Sequence, residues 1–260
     1  MRWIRFTHAG ETSYGVVDGD LVQVVLGDPF TGYERTTRSI PLDGVKIEVP
    51  FSPKTFYAVG FNYPDHIVKV ARQQGVEPNL PTLPDVGYRA NNALIAHGEA
   101  IVIPKDASKQ VHYEGELVAV IGHTAKYLSE DSALSCVLGY TIGNDVSERS
   151  WQKSDRTLWR AKNTDTFAPM GPWIETNVDL DTLETIVRLN GEIRTQFPTN
   201  AMLFGVAQYI SRISQYCTLH AGDMIWMGTD GTSPNLRSGD RVDVEITGIG
   251  SLSNPVVDET

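Results

Sequence analysis

Two glutamates separated by one glycine, Glu114-Gly115-Glu116, stand just before the apolar run Leu117-Val118-Ala119-Val120-Ile121. On a strand, residues i and i+2 point to the same face, so these carboxylates project side by side. Paired like charges repel unless a proton or a cation neutralises them. Taken alone, Glu-x-Glu reads first as a solvated strand edge. A third hard ligand changes that reading, and Asp145 offers one. The apolar strand Val137-Leu138-Gly139-Tyr140-Thr141-Ile142 runs through Gly143-Asn144 into it. Three carboxylates make an all-oxygen site for a hard divalent cation, with Mg2+ the first choice and Mn2+ or Ca2+ served by the same donors. The local alternative for Asp145 is a helix N-cap.

Downstream of Asp145 lie Arg149, Gln152 and Lys162. Cations beside a metal site suit an anionic, oxygen-rich substrate, and the alternative is plain surface charge. Upstream, Gly60-Phe61-Asn62-Tyr63-Pro64-Asp65-His66 leads into a helix. A lone histidine in such a place is more often structural than catalytic. Near the C-terminal end, Gly222-Asp223-Met224-Ile225-Trp226-Met227-Gly228-Thr229 is a strand that delivers a Gly-Thr pair to a loop. Backbone N–H groups and a hydroxyl there suit a carboxylate.

These groups need elements to hold them. Residues 1 to 50 read as short strands with the hairpin turn Asp18-Gly19-Asp20, a small N-terminal β domain, and Phe51-Ser52-Pro53 reads as a linker. Residues 51–260 form the second, catalytic domain. It carries strand signals at 56–59, 100–103, 116–121, 137–142, 186–189, 224–227 and 241–246, with Asn190-Gly191 as a tight hairpin turn. Helical character appears at 66–74, stopped by Gly75, and at 201–213. Pro78, Pro81 and Pro84 make the stretch up to Gly87 a loop. Many strands and few helices predict a mainly β, α+β core in the form of a barrel or rolled sheet. A Rossmann fold is excluded by the missing βαβ alternation and the absence of GxGxxG.

The formal net charge is −10, which gives no purchase on nucleic acid or an anionic membrane surface. No apolar run is long enough to span a bilayer, and the N-terminus lacks a signal-peptide core. Cys136 and Cys217 form no metal pattern and read as two buried free thiols, so the expected address is cytoplasmic.

In order, Asn62-Tyr63-x-x-His66, Glu114-x-Glu116-Leu117, Asn144-Asp145-Val146-Ser147-x-Arg149, Gln152 and Lys162 resemble the fumarylacetoacetate hydrolase family. The match continues through Thr166-Phe167-Ala168-Pro169-Met170-Gly171-Pro172, Leu189-Asn190-Gly191-Glu192, Gly222-Asp223-x-Ile225, Gly228-Thr229 and Gly239-Asp240-x-Val242 to Gly250. It covers residue 55 to the C-terminus. The resemblance implies a mixed β-roll with a magnesium or manganese ion on Glu114, Glu116 and Asp145, usually in a homodimer. It implies a small anionic 2-oxo acid as substrate. Lys162 and His66 match catalytic residues, the latter on a lid. Gln152, Thr229, Asn62, Tyr88 and Arg89 fall at substrate-facing positions.

Against the family pattern, Phe61 stands where many relatives have Arg, and Lys69 where many have the Glu that partners the lid histidine. Either another acid takes that part, with Asp65 and Glu77 the nearest by sequence, or His66 does no water activation. Tyr88-Arg89-Ala90-Asn91-Asn92-Ala93 replaces a Phe-x-Lys-x-x-Ser-like stretch, and Gly228-Thr229-Asp230 replaces Gly-Thr-Pro. The resemblance thus implies hydrolysis of a C–C bond in a 2,4-dioxo acid such as an acylpyruvate or fumarylpyruvate. Two readings stand beside it: an isomerase, tautomerase or decarboxylase of a 2-oxo or 2-hydroxydienoic acid working through an enolate, and a ligand-binding member without activity.

Overall fold

The chain's fold was obtained as a computed structural model that describes residues 1–231 and 233–260. It begins with four antiparallel strands, β1 (Arg2–His8), β2 (Glu11–Asp18), β3 (Leu21–Asp28) and β4 (Gly32–Pro41), and the short β5 (Lys46–Ile47) on the other side of β1. Ile4 and Phe6 alternate with Arg5 and pack with Val17, Val22, Val24 and Ile40 in a small core of the unit's own, while Trp3, on the opposite face of β1, packs in the cluster of Phe51 and Ile174. The unit is not separate from the rest of the chain. β1 pairs with β14 (Ala168–Glu175) through Arg2↔Glu175 and Trp3↔Ile174. The expected linker is also part of the packing: Phe51 is 1% exposed and its ring meets that of Phe30. Burying a phenylalanine ring is worth roughly 1.5–3 kcal/mol, which a solvated linker would forgo.

The remainder supplies β6 (Phe56–Val59), α1 (Pro64–Gln74), β7 (Val86–Tyr88), β8 (Leu94–Ile95), β9 (Ile101–Ile103), β10 (Val111–His112) and β11 (Gly115–Ile121). After a short α2 (Glu130–Ala133) come β12 (Val137–Asn144), β13 (Ser147–Glu148), α3 (Arg149–Ser154), α4 (Trp159–Asn163) and β14. The last elements are β15 (Glu184–Leu189), β16 (Glu192–Pro198), α5 (Val206–Tyr216), β17 (Met224–Trp226), β18 (Arg241–Ile246) and β19 (Gly250–Asp258). The larger sheet runs β4-β3-β2-β1-β14-β12-β11-β17-β6-β7, and a second runs β16-β15-β18-β19-β9. The fold is mainly β with a few helices, as expected.

β11 lies at the middle of the larger sheet and is buried along its whole length, so its apolar residues are continuous rather than alternating. Gly115 lets it lie flat on the second sheet. A methyl group there would sit 2.7 Å from Val187 and 2.8 Å from Val244. The Asn190-Gly191 turn has φ of 55° and 82°, the left-handed pair of a two-residue hairpin.

α1 starts at Pro64, two residues before its expected range, and stops as expected at Gly75, in the left-handed region at φ 68°. The later helix starts at Val206 rather than Ala201. The reason is a competing set of hydrogen bonds: Leu203 N and Phe204 N donate to Asn62 O and Asn62 Oδ1 instead of closing a helical turn. Cys136 is buried, whereas Cys217, expected to be buried, is only half-buried because it lies at the end of this helix.

Candidate metal centre and active site

The carboxylate cluster follows from strand register. β11 and β12 run antiparallel with Gly115 opposite Asn144 and Glu116 opposite Gly143. One residue beyond the ladder, Asp145 N donates to Glu114 O at 2.9 Å, which sets Asp145 directly across from Glu114. Alternation along β11 returns Glu116 to the face of Glu114. One ligand oxygen from each of Glu114, Glu116 and Asp145 lies within 4.8 Å of the others, and all three residues are buried. Asp145 is not a helix cap. That part is played by Glu148, whose side chain accepts from Trp151 N at the start of α3.

Three cations face the three carboxylates. Lys162, on the single turn of α4, donates from Nζ to Glu114 Oε2 at 2.5 Å and to Asp145 Oδ2 at 2.6 Å. Arg149 Nη2 donates to Glu114 Oε1 at 2.5 Å, while its Nη1 donates to Gln152 Oε1 at 2.8 Å. Arg89 Nη2 donates to Asp145 Oδ2 at 3.1 Å. Burial alone would raise the pKa of Glu114, but the charges and hydrogen bonds of Lys162 and Arg149 outweigh it and hold the group far below the usual carboxylate range. Glu116 stands the other way. Burial, then the charges of Asp145 and Glu114, hold it well above that range, against Lys162 and a hydrogen bond from Gly228 N.

The donor chemistry fits a hard divalent cation. The donors are all oxygen, Glu116 is the least neutralised of the three, and among the described residues neither Glu116 Oε1 nor Asp145 Oδ1 receives a hydrogen bond.

The remaining expected residues lie around this centre in different roles. His66 is half-buried in the first turn of α1, its ring 5.7 Å from that of Phe61. Burial lowers its pKa, the charges of Glu114 and Asp230 raise it, and those of Arg149 and Lys162 lower it. The ring therefore lies within reach of the cluster's field. Thr229 and Asp230 are half-buried on the turn after β17.

Asn62 does not present its amide to the site. At 1% exposure, it donates from Nδ2 to Phe204 O and Met227 O and accepts from Phe204 N, so it clamps three segments together. Tyr88 is 60% exposed, its ring is tilted by 41° against that of Tyr57, and with Arg89 and Trp159 it lines an open cleft of about 560 Å³. Sequence reasoning missed the bonds from Gly228 N to Glu116 and from Arg89 to Asp145, and passed over Asp230, whose charge acts on His66. The Asp230 signal was its place in the altered Gly-Thr-Asp turn.

Residues 55–257 match the family described as fumarylacetoacetate (FAA) hydrolase, C-terminal. The chain belongs to the fumarylacetoacetate hydrolase family. Residues 1–50 match a second family, described as Rv2993c-like, N-terminal. Protein Rv2993c of Mycobacterium tuberculosis is 37% identical over 99% of this chain and 98% of its own length. The oxaloacetate tautomerase YisK of Bacillus subtilis is 34% identical over 92% of this chain and 87% of its own.

Among solved structures, a 5-carboxymethyl-2-hydroxymuconate delta-isomerase from Mycobacterium smegmatis superposes with a TM-score of 0.90 at 35% identity, covering 100% of both chains. A maleylpyruvate hydrolase from Sphingobium sp. SYK-6, in complex with manganese(II) and pyruvate, superposes with a TM-score of 0.80 at 26% identity, also covering 100% of both. Members of the family are thus enzymes of several reaction types built on this fold.

Proposed function

We propose that this chain is a divalent-metal-dependent hydrolase that cleaves a C–C bond in a small 2,4-dioxo acid of the acylpyruvate or fumarylpyruvate kind. The observation that carries the reading is the meeting of three buried carboxylates with the Lys162 ammonium at a point whose field reaches His66. Glu114, Glu116 and Asp145 would hold the ion, which when bound supplies a Lewis acid for the substrate's carboxylate and 2-oxo oxygens.

The rest of the work falls to the chain. Thr229 and the N–H groups of its turn bind the substrate carboxylate, and Gln152, oriented by Arg149, donates to the 2-oxo acid. His66 takes a proton from water, and the hydroxide oxygen bonds to the distal carbonyl carbon. The C–C bond then breaks, and its electron pair leaves with the pyruvoyl half as an enolate. Lys162 stabilises that charge. The proton returns to the enolate carbon, which gives pyruvate, and the acyl half leaves as a carboxylic acid.

One observation favours a second reading. Among the described residues, the buried Nδ1 of His66 has no hydrogen-bond partner, so its basicity is unsupported in the structure as it stands. An isomerase, tautomerase or decarboxylase working through the same enolate has no need of a water-activating base.

The test is incubation with Mg2+ or Mn2+ and a panel of acylpyruvates, oxaloacetate and 2-hydroxydienoates. Release of pyruvate with a carboxylic acid is the expected result. Carbon dioxide without hydrolysis, or an absorbance change without fragmentation, would replace the proposal by the second reading. Tight binding without turnover would make the protein a ligand-binding member.

A further inference from the structure

β10 is only two residues long, Val111–His112, and both of its edges are taken. On one side it pairs with β13 through Val111↔Glu148 and His112↔Ser147, and Arg149 N donates to Gln110 O at 2.9 Å. On the other runs the segment 233–236. Leu236 N donates to Val111 O at 2.8 Å, and Tyr113 N donates to Ser233 Oγ at 3.2 Å. The strand thus stands between the start of α3, which carries Arg149, and the segment that follows the Gly228-Thr229 turn.

The half-buried ring of His112 joins the two. Arg149 Nε donates to His112 Nδ1 at 3.2 Å, and His112 Nε2 lies 2.9 Å from Asn235 Oδ1. A guanidinium has donors only, so Nδ1 is the bare nitrogen, and Nε2 carries the proton that Asn235 Oδ1 accepts. The same rule orients Gln152. Its Oε1 accepts from Arg149 Nη1 at 2.8 Å, which leaves its NH2 end to donate elsewhere. Arginine often grips one carboxylate with two parallel N–H bonds. Here Arg149 spends Nε on His112 and takes a single oxygen of Glu114, Oε1, through Nη2 at 2.5 Å. The other oxygen, Oε2, is left to Lys162.

We propose that His112 is a positioning residue: its bare Nδ1, set by Asn235, holds the Nε–H of Arg149 and so keeps that guanidinium to one oxygen of Glu114 and turned toward Gln152. Without this acceptor Arg149 is free to take both oxygens of Glu114, which closes the carboxylate to a cation and releases the Gln152 amide. The part that concerns Gln152 and a 2-oxo acid rests on the hydrolytic reading above. The hold on Glu114 does not.

Three variants test this. His112→Leu fills the space of the ring without an acceptor, His112→Asn offers Oδ1 near the place of Nδ1, and Asn235→Ala releases the far side of the ring at an exposed residue. Calorimetric titration with Mn2+ should give a dissociation constant raised roughly 10–100-fold in His112→Leu and within about threefold of wild type in His112→Asn. Asn235→Ala should fall between them. The double variant His112→Leu with Asn235→Ala should bind no more weakly than His112→Leu, because both changes act through one bond. If an acylpyruvate is hydrolysed, kcat/KM should follow the same order. A Tm that falls while Mn2+ affinity stays, with Asn no better than Leu at position 112, would mean a merely structural role and overturn the proposal. Nitrogen-15 NMR needs neither metal nor turnover. His112, assigned through His112→Asn, should carry its proton on Nε2 in the wild type, and a proton on Nδ1 would overturn the proposal. The Arg149 Nε–H should be protected from solvent exchange in the wild type and in His112→Asn, and unprotected in His112→Leu. If the wild type releases no pyruvate while the tautomer and the order of Mn2+ affinities are as expected, the hydrolytic reading falls and the positioning by His112 stands.

Discussion

The backbone N–H of Gly228 donates to Glu116 Oε2 at 2.9 Å, so the turn after β17 is tied to the carboxylate that the surrounding charges neutralise least. This bond favours the ionised form of Glu116, yet burial and the charges of Asp145 and Glu114 outweigh it. The protein without metal therefore carries a cost at this residue that a bound cation would remove.

Glu116→Gln keeps an acceptor for Gly228 N and deletes the like charge. Without metal this variant should be more stable than wild type by about 1 kcal/mol, seen as a Tm about 2–4 °C higher. Added Mg2+ or Mn2+ should raise the wild-type Tm and leave that of the variant unmoved. Calorimetry with and without chelator checks both. An equal metal-induced rise in the two proteins would remove Glu116 from the ligand set.

Lys162→Met should have the opposite signature. Its ammonium bonds Glu114 and Asp145 at once, and removing it leaves two buried carboxylates without that partner. The loss should be roughly 3–5 kcal/mol without metal. A divalent cation should restore much of it, because the cation replaces the missing charge. Denaturant titration in the presence and absence of Mn2+ reads this directly. Turnover should stay low in both conditions, since the enolate charge lacks its ammonium.

The pH dependence of stability should expose Glu148. Burial pushes its pKa up, but hydrogen bonds from Ser108, Trp151 and Ser150 outweigh that and pull it below the ordinary 4.5. A depressed folded pKa means that the stabilisation is complete above the unfolded value and is lost as pH falls through the folded one. Glu148→Gln should thus be less stable than wild type at neutral pH. The gap should narrow as pH falls below about 4.5 and close below the lowered value, where both side chains are neutral. Urea unfolding of the two proteins at neutral pH and in steps down from about pH 4.5 tests it. Glu148 also caps the helix that begins with Arg149, so the variant should weaken the hold of Arg149 on Glu114.

Gly115→Ala should disturb the centre through packing alone. The added methyl would meet Val187 and Val244 of the second sheet at under 3 Å, and β11 must lift to make room. Overpacking of this kind costs roughly 1–3 kcal/mol. Glu114 and Glu116 flank the site, so metal affinity should fall along with Tm. A normal metal affinity in a destabilised variant would show that the sheets relax without moving the carboxylates.

Some of this protein was settled along single stretches of chain. The i, i+2 spacing of Glu114 and Glu116 dictates a shared face on any strand, and the apolar run behind them dictates that the strand is buried. Gly75 and Asn190-Gly191 stop and turn the backbone because only certain residues enter the left-handed region easily. The ordered motifs from Asn62 to Gly250 carried the family and hence the fold. What brought Asp145 across from Glu114 was antiparallel register, which depends on two strands at once. The same holds for Arg89 on Asp145, for Asn62 as a clamp between three segments, and for Phe51 as core rather than linker. Those partners lie 56, 165 and 142 residues apart where the hydrogen bonds are long-range, and local propensity holds no information on such separations. Sequence spacing sets which way a side chain points from its own backbone; tertiary packing alone decides what it points at.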